Sequence, residues 1–155
     1  IKGEVSMTKA LIVYATRTGE TQNIADLIAE GVRFAGQQAH VASVKEIKTE
    51  ADLNGYDGYV FGSATYHGEM LQGMKTFLFL AERANLTGKI GGAFGSYTHS
   101  GESAQMIFDT MENVYKMDMV DLGALNLKEH VVNTEEGLRA CQDYGRAIGK
   151  QLAGT

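Results

Sequence analysis

The 155-residue sequence contains no proline, no tryptophan and a single cysteine, Cys141. One cysteine excludes a disulfide within the chain and fits a reducing compartment, so we expect a cytoplasmic protein. No apolar run approaches the roughly 20 residues of a membrane-spanning helix, and no membrane role is therefore expected. Because proline is absent, the shapes of the turns depend on the 19 glycines.

Positive charge is also scarce, because 14 lysine and arginine residues face 19 aspartate and glutamate residues, a formal net charge of −5. The phosphates of a nucleic acid would repel such a chain, which argues against nucleic-acid binding and favours docking to basic protein partners. The length suits a single domain, which we expect to span residues 7–155. Met7 has the position of an initiator, so residues 1–6 are expected to be an expression remnant or the end of a linker.

Apolar runs alternate with helical patterns along the whole chain. This alternation predicts an α/β protein with three layers, in which helices cover both faces of a parallel sheet. Five strands are predicted, at residues 8–14, 40–44, 58–63, 89–95 and within 117–125. Five helical segments are predicted around residues 22–36, 49–56, 71–81, 104–114 and 135–152, the second of them a loop or a short irregular helix.

The helical patterns also predict which side chains are buried. The inner face of the last helix is predicted to carry Leu138, Cys141, Gly145, Ile148 and Leu152. Four methionines at helical spacings are predicted to lie mainly in the core, namely Met70, Met74, Met106 and Met111. His40 and His130 belong to no motif and are expected to be structural.

The segment after the first strand, residues 15–21, has the composition of an anion-binding turn. It joins a buried strand to a helix, so free backbone N–H groups and the positive end of the helix dipole converge there. Thr16, Thr18 and Thr21 add hydroxyl donors, and Gly19 allows a ligand to approach the backbone closely. We therefore predict a phosphate monoester site. The alternative is a helix start that threonine caps without any ligand.

Two common nucleotide motifs do not match this turn. A P-loop needs Gly-x-x-x-x-Gly-Lys-[Ser/Thr], and a dinucleotide fingerprint needs Gly-x-Gly-x-x-Gly. The turn has one glycine and no lysine. Its pattern, Thr-x-Thr-Gly-x-Thr, instead resembles the phosphate loop of flavodoxins, which holds the terminal phosphate of FMN.

Two later loops, residues 62–70 and 94–102, each combine small polar residues with an aromatic residue, a histidine and a glycine. Flat side chains beside backbone donors suit a planar, amphipathic ring. Both loops resemble their flavodoxin counterparts, and residues 92–97 are especially similar to the flavodoxin domain of flavodiiron proteins. The resemblance extends over residues 8–152. It implies the strand order 2-1-3-4-5, with FMN between the loops that follow strands 1, 3 and 4.

The resemblance implies three groups of cofactor-binding residues. The phosphate would be surrounded by Thr16, Arg17, Thr18, Gly19, Glu20 and Thr21. One side of the isoalloxazine ring would be bordered by Ser63, Ala64, Thr65, Tyr66 and His67, with Gly68 allowing a peptide flip on reduction. The other side would be bordered by Ser96, Tyr97, Thr98, His99 and Gly101. No catalytic acid, base, nucleophile or metal ligand is expected, because the flavin supplies the redox chemistry.

The chain departs from the family pattern in three respects. Ala64 stands where flavodiiron-type domains often have proline, so this loop is expected to be less rigid. Arg17 adds a charge that flavodoxin phosphate loops usually lack, and it is expected to face solvent. No tryptophan is available to stack on the flavin. Four candidates remain for that contact, namely Tyr66, His67, Tyr97 and His99.

The leading hypothesis is an FMN-binding carrier of single electrons between redox partner proteins. One alternative is an NAD(P)H-dependent FMN reductase of quinone-type acceptors, although no insertion that could complete a nicotinamide pocket is evident. Another is the flavodoxin domain of a flavodiiron protein, with the diiron site on a separate domain because the four histidines here are dispersed. A receiver-type regulator would need acidic residues where this chain has Thr16 and Ser63.

Overall fold

Seven strands form one sheet in the computed structural model, which describes residues 7–155. The expectation for residues 1–6 lies outside the described part. The strands are β1 (Lys9–Ala15), β2 (Gln38–Ser43), β3 (Gly58–Tyr66), β4 (Glu69–Met70), β5 (Ile90–Tyr97), β6 (Asp118–Met119) and β7 (Leu125–Lys128). The helices are α1 (Glu20–Phe34), α2 (Gln72–Glu82), α3 (Ser103–Asn113), α4 (Glu129–Val132) and α5 (Glu135–Ala153). Two short 3-10 helices, Val44–Glu46 and Glu50–Leu53, follow β2.

The parallel strands run in the order β2-β1-β3-β5-β6, with β7 also paired to β5. This is the predicted 2-1-3-4-5 order, and the predicted three-layer α/β class is confirmed. The central register aligns Ile12 with Val41 on one side and with Val60 on the other. Two features were not predicted, namely the continuation of β3 to Tyr66 and the short strand β4. The chain turns back after Tyr66, and β4 pairs with β3 in an antiparallel hairpin.

The predicted fifth strand is divided into β6 and β7, which pair with opposite ends of β5. Between them the backbone turns away from the sheet, and the side chain of Tyr144 fills the gap. Its hydroxyl accepts from the N–H of Ala93 at 3.0 Å and donates to the carbonyl of Gly123 at 2.6 Å. The predicted fifth strand can therefore be interrupted, because the Tyr144 hydroxyl on α5 accepts the hydrogen bond of a backbone N–H of β5.

The core has two layers because side chains alternate across each strand. Leu11, Val13 and Phe61 face α2 and α3, whereas Ile12 and Val60 face α1 and α5. Burial of Met70, Met74 and Met111 is as predicted.

Two predicted core side chains are instead exposed. Met106 is 40% exposed and Leu138 is 43% exposed. The buried face of α5 is rotated by one residue at its start, so Gly137 is buried where Leu138 was expected. On α3, the inward positions are Ala104, Ile107 and Phe108, which leaves Met106 on the outer side.

Helices α1 and α5 pack with their backbones in close approach, and two glycines make this possible. A β-carbon at Gly145 would lie 2.9 Å from the Cα of Gly31 and closer still to the carbonyl oxygen of Ile28. A β-carbon at Gly31 would lie 2.9 Å from the backbone nitrogen of Arg146. Because α1 begins at the predicted phosphate turn, this contact also fixes one wall of the candidate site.

Cys141 is fully buried in this layer, and burial raises the pKa of its thiol from 9.0 to about 12. We expect no reaction with a thiol reagent while the protein is folded, because the thiolate is the nucleophile. The unfolded thiol ionises near its ordinary pKa, so stability should fall as the pH rises from about 9 towards about 12. Urea unfolding at several pH values checks this, with Cys141→Ala as control. Rapid labelling in native buffer would contradict it.

Candidate cofactor site

The carboxyl ends of three neighbouring strands meet at one edge of the sheet. Ala15 at the end of β1 is aligned with Ser63 of β3, and Ala64 is aligned with Ser96 of β5. The chain leaves this edge through the turn of residues 16–19, the hairpin of residues 65–70 and the loop of residues 98–102. The structure thus brings together the three segments that the sequence singled out. Parallel α/β sheets bind ligands at such an edge.

The turn before α1 is closed by its own backbone and by Thr16. Gly19 has a φ of +101°, in the left-handed region that favours glycine, and its N–H donates to Oγ1 of Thr16 at 2.9 Å. Gly19 is also the N-cap, so α1 begins without a side-chain cap. A β-carbon at Gly19 would meet no atom within 4 Å. The space beside Gly19 is therefore open and no side chain caps the first turn of α1, which is compatible with an anion site.

The hydroxyls of this turn have different surroundings. Thr18 is exposed and donates to the carboxylate of Glu20. Thr21 is buried, and its hydroxyl is hydrogen-bonded to that of Ser96 at 3.1 Å. Thr21 and Ser96 therefore connect the turn to β5, while Thr16 and Thr18 are the threonines at the surface of the turn.

The second segment is a tight hairpin. Tyr66 pairs with Glu69, and the two residues between them, His67 and Gly68, have φ values of +52° and +75°. Two successive positive φ values are the signature of a type I′ turn, which matches the twist of the flanking strands. Glu69 is further held by Lys75 at 2.6 Å, and this lysine lowers the pKa of the carboxylate.

Buried hydroxyls fix the base of the hairpin to α3. Ser103 donates to the carbonyl of Ser63 at 3.1 Å, and its hydroxyl lies 2.6 Å from that of Thr65. Ser63 in turn accepts from the N–H of Leu71 at 3.0 Å. Ser103 was missed at the sequence level, since a serine at the start of a helix is ordinarily a cap. Its fully buried position makes it a support for the hairpin instead.

Replacing Ser103 with alanine is expected to lower the free energy of unfolding by about 1–3 kcal/mol, because the carbonyl of Ser63 loses its buried donor. Amide hydrogen exchange at Leu71 should quicken as the hairpin loosens. The matched control is Ser100→Ala, an exposed serine in the preceding loop. Equal stability and equal exchange in the two variants would contradict the supporting role of Ser103.

The third segment is braced by the last strand. Tyr97 is half-buried, while Thr98 and His99 are exposed. The carbonyl of Gly101 accepts from the side-chain amide of Asn126 at 2.6 Å. A β-carbon at Gly101 would lie 2.6 Å from the ring of Tyr97, so glycine allows the loop to lie against that ring.

A residue with no predicted site role, His130, also lies at this edge. Together with Glu20, Thr98 and Glu129 it lines an open cavity of about 450 Å³. The position of His130 was not predicted from the sequence, because α4 was not predicted. The pairing of β7 with β5 is what places α4 at this edge of the sheet. His40 is exposed on β2 and takes no part.

The rim of the site carries a cluster of three side chains. The guanidinium carbon of Arg17 lies 3.8 Å from the ring centroid of Tyr66, and the rings of Tyr66 and His67 have centroids 4.1 Å apart. Arg17 is exposed, as expected from the sequence, but it covers an aromatic ring. The remaining stacking candidates, Tyr97 and His99, lie in the opposite loop.

A sequence model described as the flavodoxin domain matches residues 11–130. The chain belongs to the flavodoxin family. A flavodoxin from the domain Archaea superposes with a TM-score of 0.84 at 29% identity, over 94% of this chain and 99% of that one. The family binds flavin and takes part in electron transfer, and the architecture of this chain is that of its flavodoxin relatives.

Other similar proteins have further activities in their names. An NAD(P)H dehydrogenase (quinone) from Gluconacetobacter diazotrophicus is 34% identical over 90 residues, 46% of this chain and 45% of that protein. This chain thus aligns with less than half of that relative. The flavodiiron protein from Giardia intestinalis superposes with a TM-score of 0.84 at 21% identity, over 94% of this chain and 36% of that protein. This likeness concerns the fold alone.

The residues at the site fit a phosphorylated, planar ligand such as FMN. The uncapped start of α1 offers amide donors to a phosphate, and the hairpin and the third segment each carry a tyrosine, Tyr66 and Tyr97. Within residues 7–155, no three histidine, cysteine, aspartate or glutamate side chains are grouped as a metal site would require. Over the same residues, no helix has both the length and the apolar character to cross a membrane.

Proposed function

We propose that this protein binds FMN and carries single electrons between redox partner proteins. The observation that supports this most directly is the convergence, at one edge of the sheet, of an uncapped helix start and two aromatic loops. A site with phosphate donors at one end and flat side chains at the other has the shape and polarity of FMN.

Each group of residues has a proposed part in holding the cofactor. The first-turn amides of α1, with Thr16 and Thr18, would bind the phosphate. The bond between Thr21 and Ser96 keeps that turn against β5. Facing the ring on one side would be the hairpin, in particular Ala64, Thr65, Tyr66, His67 and Gly68. On the other side would be the loop with Tyr97, Thr98, His99 and Gly101. When bound, FMN supplies the electron-accepting chemistry, and the protein sets its orientation and surroundings.

The expected partners are proteins with basic docking surfaces. The formal net charge is −5, and Glu20 and Glu129 line the cavity beside the third loop. Glu102 is exposed at the end of that loop. Complementary charge accelerates association between partners and loses strength as salt screens it. Electron transfer to an acceptor with a basic surface should therefore slow as the ionic strength rises.

The test begins with flavin-free protein titrated with FMN, following the fluorescence of the flavin. We expect quenching that saturates at one equivalent. An anaerobic reductive titration then distinguishes the candidate functions. Two separate one-electron steps support a carrier. Failure to bind FMN would overturn the proposal, including the assignment of the site.

The second candidate function is an NAD(P)H-dependent reductase of quinones, favoured by the similarity to the quinone dehydrogenase over 46% of this chain. This reading predicts oxidation of NADH or NADPH by the FMN-loaded protein, with a quinone as acceptor. It also predicts reduction of the bound flavin in one two-electron step. If neither oxidation of NADH or NADPH nor a single two-electron reduction were observed, the results would favour the carrier function.

A further inference from the structure

Arg17 of the phosphate turn and Tyr66 of the ring-side hairpin are both exposed, and their side chains are in direct contact. The guanidinium carbon is 3.8 Å from the centre of the ring, a cation–π geometry. Tyr66 is 44% exposed, so the ring is accessible apart from this cover and the neighbouring His67. The contact therefore lies at the exposed entrance to the proposed flavin site.

Among residues 7–155, no charged partner holds Arg17 away from Tyr66. Over residues 7–155 it forms no ion pair and no side-chain hydrogen bond, and stacking on Tyr66 is its only specific contact. An exposed cation–π contact is weak, so a ligand can displace it. A guanidinium also binds phosphate more strongly than it binds an aromatic face, through charge-assisted hydrogen bonds.

We propose that Arg17 covers the ring of Tyr66 in the flavin-free protein, an arrangement that we call the latch. Arg17 thereby determines the specificity of the site for ligands that carry a phosphate. In the flavin-free protein its guanidinium covers the ring that the proposed site would offer to the flavin. A ligand with a phosphate gives Arg17 a new partner within its own turn and so uncovers Tyr66. A ligand without a phosphate must displace the guanidinium and offers Arg17 no new partner. This inference rests on the proposed flavin site.

The test compares FMN with riboflavin, which has the same ring but no phosphate. In Arg17→Met, which keeps the length of the side chain without its charge, we expect riboflavin to associate roughly 3–10-fold faster, as loss of a weak contact predicts. FMN should bind about tenfold more weakly, because a charged donor to the phosphate is lost. Stopped-flow quenching of flavin fluorescence measures both.

Arg146→Met is the matched control. Arg146 also stacks on an exposed ring, that of Phe34 at 4.9 Å, but on the α1–α5 side of the molecule. Both flavins should bind this variant as they bind the wild type. Arg17→Lys keeps the charge without the planar stacking group, so it should retain most FMN affinity and still admit riboflavin faster.

A measurement without flavin checks the latch itself. In NMR spectra of the flavin-free protein, the Arg17 side-chain protons should be displaced upfield by the Tyr66 ring, and Tyr66→Leu should remove that displacement. Unchanged riboflavin association in Arg17→Met, with FMN still bound by the wild type, would overturn the latch alone. Failure of the wild type to bind either flavin would overturn both the latch and the proposed function.

Discussion

Replacing Gly145 with alanine is expected to lower the free energy of unfolding by about 3 kcal/mol or more. The added β-carbon would overlap the carbonyl oxygen of Ile28 and lie 2.9 Å from the Cα of Gly31. Both are backbone atoms of α1, so no side-chain rotation can relieve the contact. Helices α1 and α5 would have to separate and open the fully buried layer around Ile28 and Ile148. Urea unfolding followed by circular dichroism measures the change.

Gly73→Ala provides the matched control. Gly73 is also a helical glycine, but a β-carbon there would meet only the side chain of Val44, at 3.3 Å. Alanine favours a helix over glycine by about 1 kcal/mol, so this variant should change stability by no more than about that amount. If the two variants unfolded at the same urea concentration, the close approach of α1 and α5 would not be a determinant of stability.

The Gly145→Ala substitution should also affect the candidate cofactor site. Helix α1 begins at Glu20, directly after the phosphate turn, so a displaced α1 moves Gly19 and Thr21 relative to Ser96 on β5. We therefore expect Gly145→Ala to bind FMN more weakly even under conditions where it is fully folded. Gly73→Ala should not, because the turn and α1 keep their positions.

Much of the fold could be predicted because its signals are local. The alternation of apolar runs with helical patterns identified the strands of the parallel order, and the residues after β1, β3 and β5 predicted which edge of the sheet would carry a site. Such segments report their own structure, because strand, turn and helix start follow one another within a few residues. Their convergence at one edge then follows from the parallel arrangement of the strands.

The features that escaped prediction depend on residues far apart in the chain. The break between β6 and β7 is permitted by Tyr144, whose hydroxyl replaces a strand as partner of Ala93. Ser103 supports Ser63 across 40 residues of sequence. The rotation that buries Gly137 instead of Leu138 reflects contact with Val131, which a helical period alone cannot show.

Arg17 shows the same limit at the site. Its sequence context predicted a solvent-facing cation in a phosphate loop, and its exposure agrees with that. Its contact with Tyr66 arises only because β1 and β3 are adjacent parallel strands, with Ala15 aligned with Ser63. Neither residue carries a local signal of the other.

Replacing Thr18 with glutamate is expected to weaken FMN binding by on the order of 100-fold and to leave riboflavin binding nearly unchanged. Thr18 is exposed and already contacts the carboxylate of Glu20, so the new side chain would add a second negative charge beside the uncapped start of α1. A phosphate at that position would be repelled, whereas a flavin without a phosphate would not be. Fluorescence titration with each flavin measures the two affinities.

Thr87→Glu provides a control with the same change in net charge. Thr87 is likewise exposed in a turn and donates to a neighbouring side chain, that of Asn85, but it precedes β5 and so lies at the opposite edge of the sheet. Its FMN affinity should equal that of the wild type. A loss of FMN affinity as large as that of Thr18→Glu would mean that overall charge, not the turn, governs binding.

Stability distinguishes repulsion at the turn from damage to the fold. An acidic side chain near the start of a helix interacts favourably with the helix dipole, so Thr18→Glu should unfold at the same urea concentration as the wild type or at a slightly higher one. The glutamate would then stabilise the flavin-free protein through the same positive helix end that the phosphate needs. A variant that is no less stable, retains riboflavin and loses FMN would show that the added negative charge acts on the phosphate at that helix end and does not damage the fold. A destabilised variant that loses both flavins would contradict the assignment of the turn as the phosphate site.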